Sequence, residues 1–102
     1  MDLQVKGKVF LLAGASKGLG LAIAEQLSLN GASVAIASRS AQTIEASAIE
    51  LAGRSGNPVK AYVMDASDGA SIQRWVTDAH SDFGRIDGLV VNAGGPPVGR
   101  LI

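Results

Sequence analysis

Residues able to do chemistry cluster at four points of the 102-residue sequence: Gly14 to Gly20, Ser38-Arg39, Asp65-Ala66 and Asn92-Ala93-Gly94. The first is the richest. Gly14, Gly18 and Gly20, interleaved with Ala15, Ser16, Lys17 and Leu19, directly follow the unbroken apolar run Val9 to Ala13. Such a run reads as a strand buried on both faces, and the residues from Leu19 to Leu27 read as a helix. A helix amino end offers unpaired N–H groups and the positive end of its dipole, and glycine lets the backbone approach a pyrophosphate without a β-carbon in the way. Alone, a glycine cluster is only a tight turn; between a buried strand and a helix it is a phosphate-binding turn. It is a poor P-loop, because Lys17 precedes Gly18 and does not lead into Ser or Thr. Its spacing, G-x-x-x-G-x-G, also departs from the general dinucleotide fingerprint G-x-G-x-x-G.

Arg39 carries the second signal. An acidic residue about 20 positions beyond the glycines normally accepts hydrogen bonds from the ribose 2′-hydroxyl of NAD. Here that position holds Ser38-Arg39, and a guanidinium suits a 2′-phosphate that a carboxylate would repel. With Lys17 as a second cation, at ~1.5–3 kcal/mol per charge-assisted contact, NADP would be favoured over NAD by ~100-fold or more. The plainer reading of both side chains is solvated surface charge. Asp65 ends an apolar strand, where its carboxylate could accept from an adenine amino group; as a purely structural residue it would shape a turn or cap a helix. Asn92 could tie strand ends together, and Asn followed closely by Gly is otherwise a turn signal.

These residues need a scaffold that brings strand ends together. The sequence predicts strands over Lys8 to Ala13, Ser33 to Ser38, Val59 to Met64 and Asp87 to Asn92. Helices are expected from Gly18 to Asn30-Gly31, from Ala41 to Ala52 with Gly53 to Pro58 as the break, and from Ser67 or Asp68 to Gly84. Ile44, Ala48 and Leu51 share one face of the second helix; Ile72, Trp75, Val76 and Ala79 share one face of the third. Strand alternating with helix specifies an α/β fold, a Rossmann-type doubly wound parallel sheet of order 3-2-1-4. In it the first two helices cover one face and the third the other, and all four chemical clusters lie at the carboxyl ends of the strands. Strand four is then an apolar edge that further structure would cover.

Composition narrows the classes. Forty-seven per cent of residues are hydrophobic, which argues for a folded core, and nine basic residues balance nine acidic ones, which leaves no field for nucleic acid. The absence of cysteine excludes thiolate metal sites and disulfides. Lys6 and Lys8, the apolar run and Ala13-Gly14-Ala15 mimic a short secretory signal, but cleavage there would destroy the glycine turn. No apolar run approaches the ~20 residues that cross a bilayer. The expectation is a soluble, cytoplasmic protein without a metal site, a nucleic-acid partner or a membrane partner.

Taken together, Gly14-Ala15-Ser16-Lys17-Gly18-Leu19-Gly20, Arg39, Asp65 and Asn92-Ala93-Gly94 resemble the short-chain dehydrogenase/reductase family, especially its β-ketoacyl-carrier-protein reductase type. The resemblance covers essentially the whole chain. It implies NADP as cofactor, with Ser16, Lys17 and Arg39 around the 2′-phosphate and the Leu19 backbone N–H at the pyrophosphate. It further implies Asp65 and Ala66 at the adenine, and Asn92, Ala93 and Gly94 supporting the sheet and the nicotinamide side. Ala13 replaces the Thr usual in the first motif, removing a hydroxyl.

The family's chemistry uses a Ser, a Tyr-x-x-x-Lys pair and a further Asn, all downstream of the Asn-Ala-Gly turn. No residue of this chain takes those roles: the only tyrosine, Tyr62, lies in strand three with Ala66 four residues on, and His80 falls on a polar stretch of a helix away from the strand ends. The chain therefore reads as the NADP-binding portion of an oxidoreductase acting on a small carbonyl or alcohol substrate, inactive alone and a homo-oligomer when complete. A non-catalytic nucleotide-binding or regulatory module is the reading from another class.

Overall fold

The computed structural model describes residues 4–14 and 18–91. Its elements run β1 (Val9–Ala13), α1 (Gly18–Leu29), β2 (Ser33–Ser38), α2 (Ala41–Ser55), β3 (Val59–Val63), α3 (Gly69–Phe83) and β4 (Gly88–Val91). The strands form one sheet of order β3-β2-β1-β4, parallel at every pairing. This is the expected doubly wound order.

Continuous apolar strands are needed because both faces are covered. Successive side chains point to opposite faces: Val9, Leu11, Ala13, Ala35 and Ala37 pack with Trp75 and Ala79 of α3, while Leu12, Val34 and Ile36 pack with Ala24 of α1 and Ile44, Ala48 and Leu51 of α2. Two helices on one face and one on the other is the arrangement the sequence implied. Among the described residues β4 pairs only with β1, so it forms the sheet edge.

Caps set the helix ends. Ser40 precedes α2 and its hydroxyl accepts from the Thr43 N–H at 3.3 Å, while Asp68 precedes α3 and its carboxylate accepts from the Ala70 N–H at 3.0 Å. Gly56 (φ 72°) and Gly84 (φ 82°) close the same helices in the left-handed conformation, their N–H groups donating to the carbonyls of Ala52 and His80. Gly31 (φ 96°) makes the turn after α1.

Several boundaries differ from expectation. Helix α2 does not break at Gly53 but runs on to Ser55. A helical glycine costs only about 1 kcal/mol, and Arg54 holds the extra turn through ion pairs to Glu50 (2.7 Å) and Glu25. Strand β1 begins at Val9, because the Lys8 N–H donates to the Val5 carbonyl (2.9 Å) in a turn. Strand β3 ends at Val63, and β4 begins at Gly88 because Asp87 turns its side chain onto the start of β1, accepting from the Val9 N–H at 2.8 Å. No helix of the described residues is long and apolar enough to cross a membrane, and they hold no group of three or more His, Cys, Asp or Glu able to hold a metal ion.

Candidate functional site

The strand register stitches the carboxyl ends of β1, β2 and β3 together. The Gly14 N–H donates to the Ala37 carbonyl at 2.9 Å, and the Met64 N–H donates to the Ser38 carbonyl at 2.9 Å. Gly14, Ser38-Arg39 and Met64-Asp65 thus leave the sheet in neighbouring lanes, about 4.8 Å apart. Ala13 also pairs with Val91, which sets the end of β4 on the other side of β1. Parallel pairing alone gathers these residues at one edge.

Gly14 (φ 74°) and Gly18 (φ 67°) both adopt the left-handed conformation that side chains disfavour. A β-carbon added at Gly18 would meet nothing within 4 Å, so the space outside this glycine is open. Gly18 is exposed where α1 begins, and Gly20 is buried one position past Leu19. The first turn of α1 carries no acidic residue to neutralise the positive end of its dipole. Of the expected turn, Ala15, Ser16 and Lys17 lie outside the described residues, as do Asn92, Ala93 and Gly94 after β4.

Ser38 turns its hydroxyl back onto its own loop, donating to the Ser40 carbonyl at 3.2 Å. Arg39 is exposed, and among the described residues it forms no ion pair. Its positive charge nonetheless reaches Asp65. The Asp65 carboxyl is held below the usual carboxylate range, chiefly by the hydrogen bond from the Ser67 hydroxyl, then by the Ser67 backbone N–H, with Arg39 adding to both. It stays ionised at neutral pH and can only accept hydrogen bonds.

Four hydrogen bonds from its turn and the first turn of α3 fix Asp65. Its Oδ1 accepts from the Ser67 N–H (2.9 Å) and the Ser67 hydroxyl (2.7 Å), its backbone N–H donates to the Ser71 hydroxyl (2.9 Å), and its carbonyl accepts from the Asp68 N–H (3.0 Å). Sequence reasoning weighed Asp65 as a ligand or a turn residue; its Oδ1 shapes the turn, and Oδ2 takes no hydrogen bond among the described residues. Ala66, half-buried, follows in the same turn. Ser67 was legible only as a possible cap, though Asp-x-Ser is a recognisable Asx-turn spacing. Ser71 carried no signal, because it reaches back six residues from within α3.

The remaining titratable candidates stand elsewhere. The Tyr62 hydroxyl donates to Asp82 at 2.7 Å, and burial followed by that hydrogen bond pushes its phenol well above its ordinary value. That disfavours it as a proton donor near neutrality. His80 is exposed on α3, away from the strand ends.

A parallel 3-2-1-4 sheet with left-handed glycines at Gly14 and Gly18, a helix starting at Gly18, and an arginine at its carboxyl edge without an ion pair among the described residues defines a Rossmann-type α/β nucleotide-binding architecture. The chain belongs to the short chain dehydrogenase family, whose sequence model matches residues 8–101. It is 39% identical over 93 residues to a D-threitol dehydrogenase of Mycolicibacterium smegmatis, covering 91% of this chain and 35% of that protein. It is likewise 39% identical over 90 residues to the 3-oxoacyl-[acyl-carrier-protein] reductase of Haemophilus influenzae, covering 88% of this chain and 36% of that one. Among solved structures, L-sorbose reductase of Gluconobacter frateurii, complexed with NADPH and L-sorbose, superposes with a TM-score of 0.87 at 34% identity over 92% of this chain and 36% of its own. An NAD+-bound xylitol dehydrogenase superposes with a TM-score of 0.80 at 29% identity, over 85% of this chain and 33% of its own. The chain thus spans about a third of the length of the relatives it matches.

Proposed function

We propose that this chain is the cofactor-holding part of an NADP(H)-dependent short-chain oxidoreductase that moves hydride between nicotinamide and a small carbonyl or alcohol substrate. The nicotinamide, when bound, is the hydride donor or acceptor. The chain's own residues do the holding. Gly14, Gly18 and Gly20 leave room for the diphosphate at the start of α1, where the Leu19 N–H joins the unpaired N–H groups of the helix end. Asp65 and Ala66 take the adenine; Asn92, Ala93 and Gly94 flank the nicotinamide side.

The observation that carries the NADP assignment is Arg39, exposed and without a carboxylate ion pair among the described residues, where an acidic residue would select NAD. Ser38, Ser16 and Lys17 complete the 2′-phosphate environment. Relatives of this fold are bound with NADPH in one case and NAD+ in another, so the choice has to be read from this chain's residues. Calorimetric titration of the full-length protein with NADPH and NADH tests it. NADPH binding about 100-fold tighter or more is expected from the two cations; equal or reversed affinities would contradict the assignment.

The same reading expects a cytoplasmic homo-oligomer, and no carbonyl reduction by residues 1–102 alone. Its one phenol is tied to Asp82 and has a raised pKa, so it cannot serve as the proton donor.

A further inference from the structure

The turn between β3 and α3 is more heavily cross-braced than a connector requires. Seven residues, Asp65 to Ser71, contain two serine side chains and two backbone amides that all converge on Asp65. Ser67 gives two donors to a single carboxylate oxygen, Oδ1, at 2.9 and 2.7 Å. Two donors on one oxygen fix the plane of the carboxylate, since rotation about its last torsion would break both bonds. The second oxygen, Oδ2, is then held in one place and takes no hydrogen bond among the described residues. Ser71 acts on the backbone: accepting from the Asp65 N–H at 2.9 Å, it anchors the residue's Cα to the first turn of α3. The Met64 bond to Ser38 anchors the preceding residue to β2.

We infer that Ser67 and Ser71 are positioning residues for base recognition, holding Asp65 Oδ2 where it accepts from the 6-amino group of adenine and rejects a 6-keto purine. This rests on the reading of Asp65 as the adenine contact. An amino group donates to a fixed carboxylate, whereas the keto oxygen of hypoxanthine would face it lone pair to lone pair; a site built around a buried or fixed hydrogen bond discriminates far better than a flexible one. Without the Ser67 hydroxyl the carboxylate keeps its charge but loses its fixed plane. It could then swing aside from a keto group, and the discrimination would fall more than the affinity.

The test is binding of NADP and of its hypoxanthine analogue to the full-length protein, read as a ratio of affinities. The unaltered protein should prefer the adenine cofactor by about tenfold or more, and Asp65→Ala should abolish the preference. Ser67→Ala and Ser71→Ala should each cut it to roughly threefold or less, with the NADP-to-NAD ratio unmoved because that ratio reads Arg39. Ser67→Thr, which keeps the hydroxyl, should retain the preference. Ser67 is exposed, so its alanine variant removes a hydroxyl without emptying the core. If Asp65→Ala abolishes the preference while both serine variants keep it, the inference is overturned and the adenine contact stands. If the unaltered protein shows no preference, or Asp65→Ala keeps it, the adenine contact itself is wrong and the inference fails with it.

Discussion

The backbone N–H of Met64 donates to the Ser38 carbonyl at 2.9 Å, one residue beyond the last residue of β3. That single bond carries the β2–β3 pairing past the end of the strand, so Arg39 and Asp65 leave the sheet side by side. The arginine's charge then helps hold the aspartate ionised. The proposed 2′-phosphate cation and the proposed adenine acceptor are thus placed together by strand register and not by any loop of their own.

Replacing Arg39 should alter cofactor choice more than cofactor affinity in general. Arg39→Asp removes a cation and installs a group that accepts from a ribose 2′-hydroxyl. NADP binding should weaken by about tenfold or more, with NAD binding unchanged or improved. Calorimetry of the full-length protein with both cofactors measures this. An unchanged ratio would remove Arg39 from the account.

Trp75 is 2% exposed and is the largest side chain that α3 sets against the sheet. Trp75→Ala should cost about 3–5 kcal/mol, through lost burial and the cavity left behind. Its indole N–H is buried without a hydrogen-bond partner among the described residues. Trp75→Phe discards that donor while keeping an aromatic ring, and should cost under about 2 kcal/mol. Urea unfolding of the two variants should separate them, and equal losses would show that the indole's size is not what stabilises α3.

Asp87 links the starts of β4 and β1. Its carboxyl lies below its ordinary range, first because Arg85 donates to it and then because the Val9 N–H does. A carboxyl whose pKa is depressed on folding stabilises the fold above its unfolded value of about 3.9, and that contribution is lost as pH falls through the folded value. Stability should therefore decline below about pH 4. In Asp87→Asn the fold should be weaker at pH 7 and its acid decline shallower. Parallel stability curves for the two proteins would contradict this.

The sheet order was legible because each strand is bounded by residues that cannot continue it. Ser33 to Ser38, small and β-branched between a glycine turn and Ser38-Arg39, came out with both ends correct. The end of α2 did not. Gly53 and Gly56 stand three residues apart, and only packing of Arg54 against Glu25 and Glu50 decides that the helix passes the first and stops at the second. Lys8 and Asp87 look strand-like in sequence, yet one closes a turn with Val5 and the other caps the Val9 N–H across 78 residues. At the site, Gly14, Gly18, Arg39 and Asp65 could be read from residue type and spacing. The brace on Asp65 could not: Ser71 lies within a helix whose apolar periodicity is set by Ile72, Trp75 and Ala79, and its hydroxyl bond to a residue six positions back leaves no mark on that pattern.

If the glycine turn at the start of α1 holds the cofactor's diphosphate, as proposed, two glycines with matched geometry should respond differently to the same substitution. Gly18 (φ 67°) and Gly56 (φ 72°) are both left-handed, and a β-carbon at either meets nothing within 4 Å. Alanine at either position should thus cost a similar 1–2 kcal/mol or so of stability. NADPH affinity of the full-length protein should fall by about tenfold or more in Gly18→Ala, where the new methyl group enters the diphosphate's space, and stay unchanged in Gly56→Ala at the far end of α2. Equal affinities in the two variants would contradict the claim.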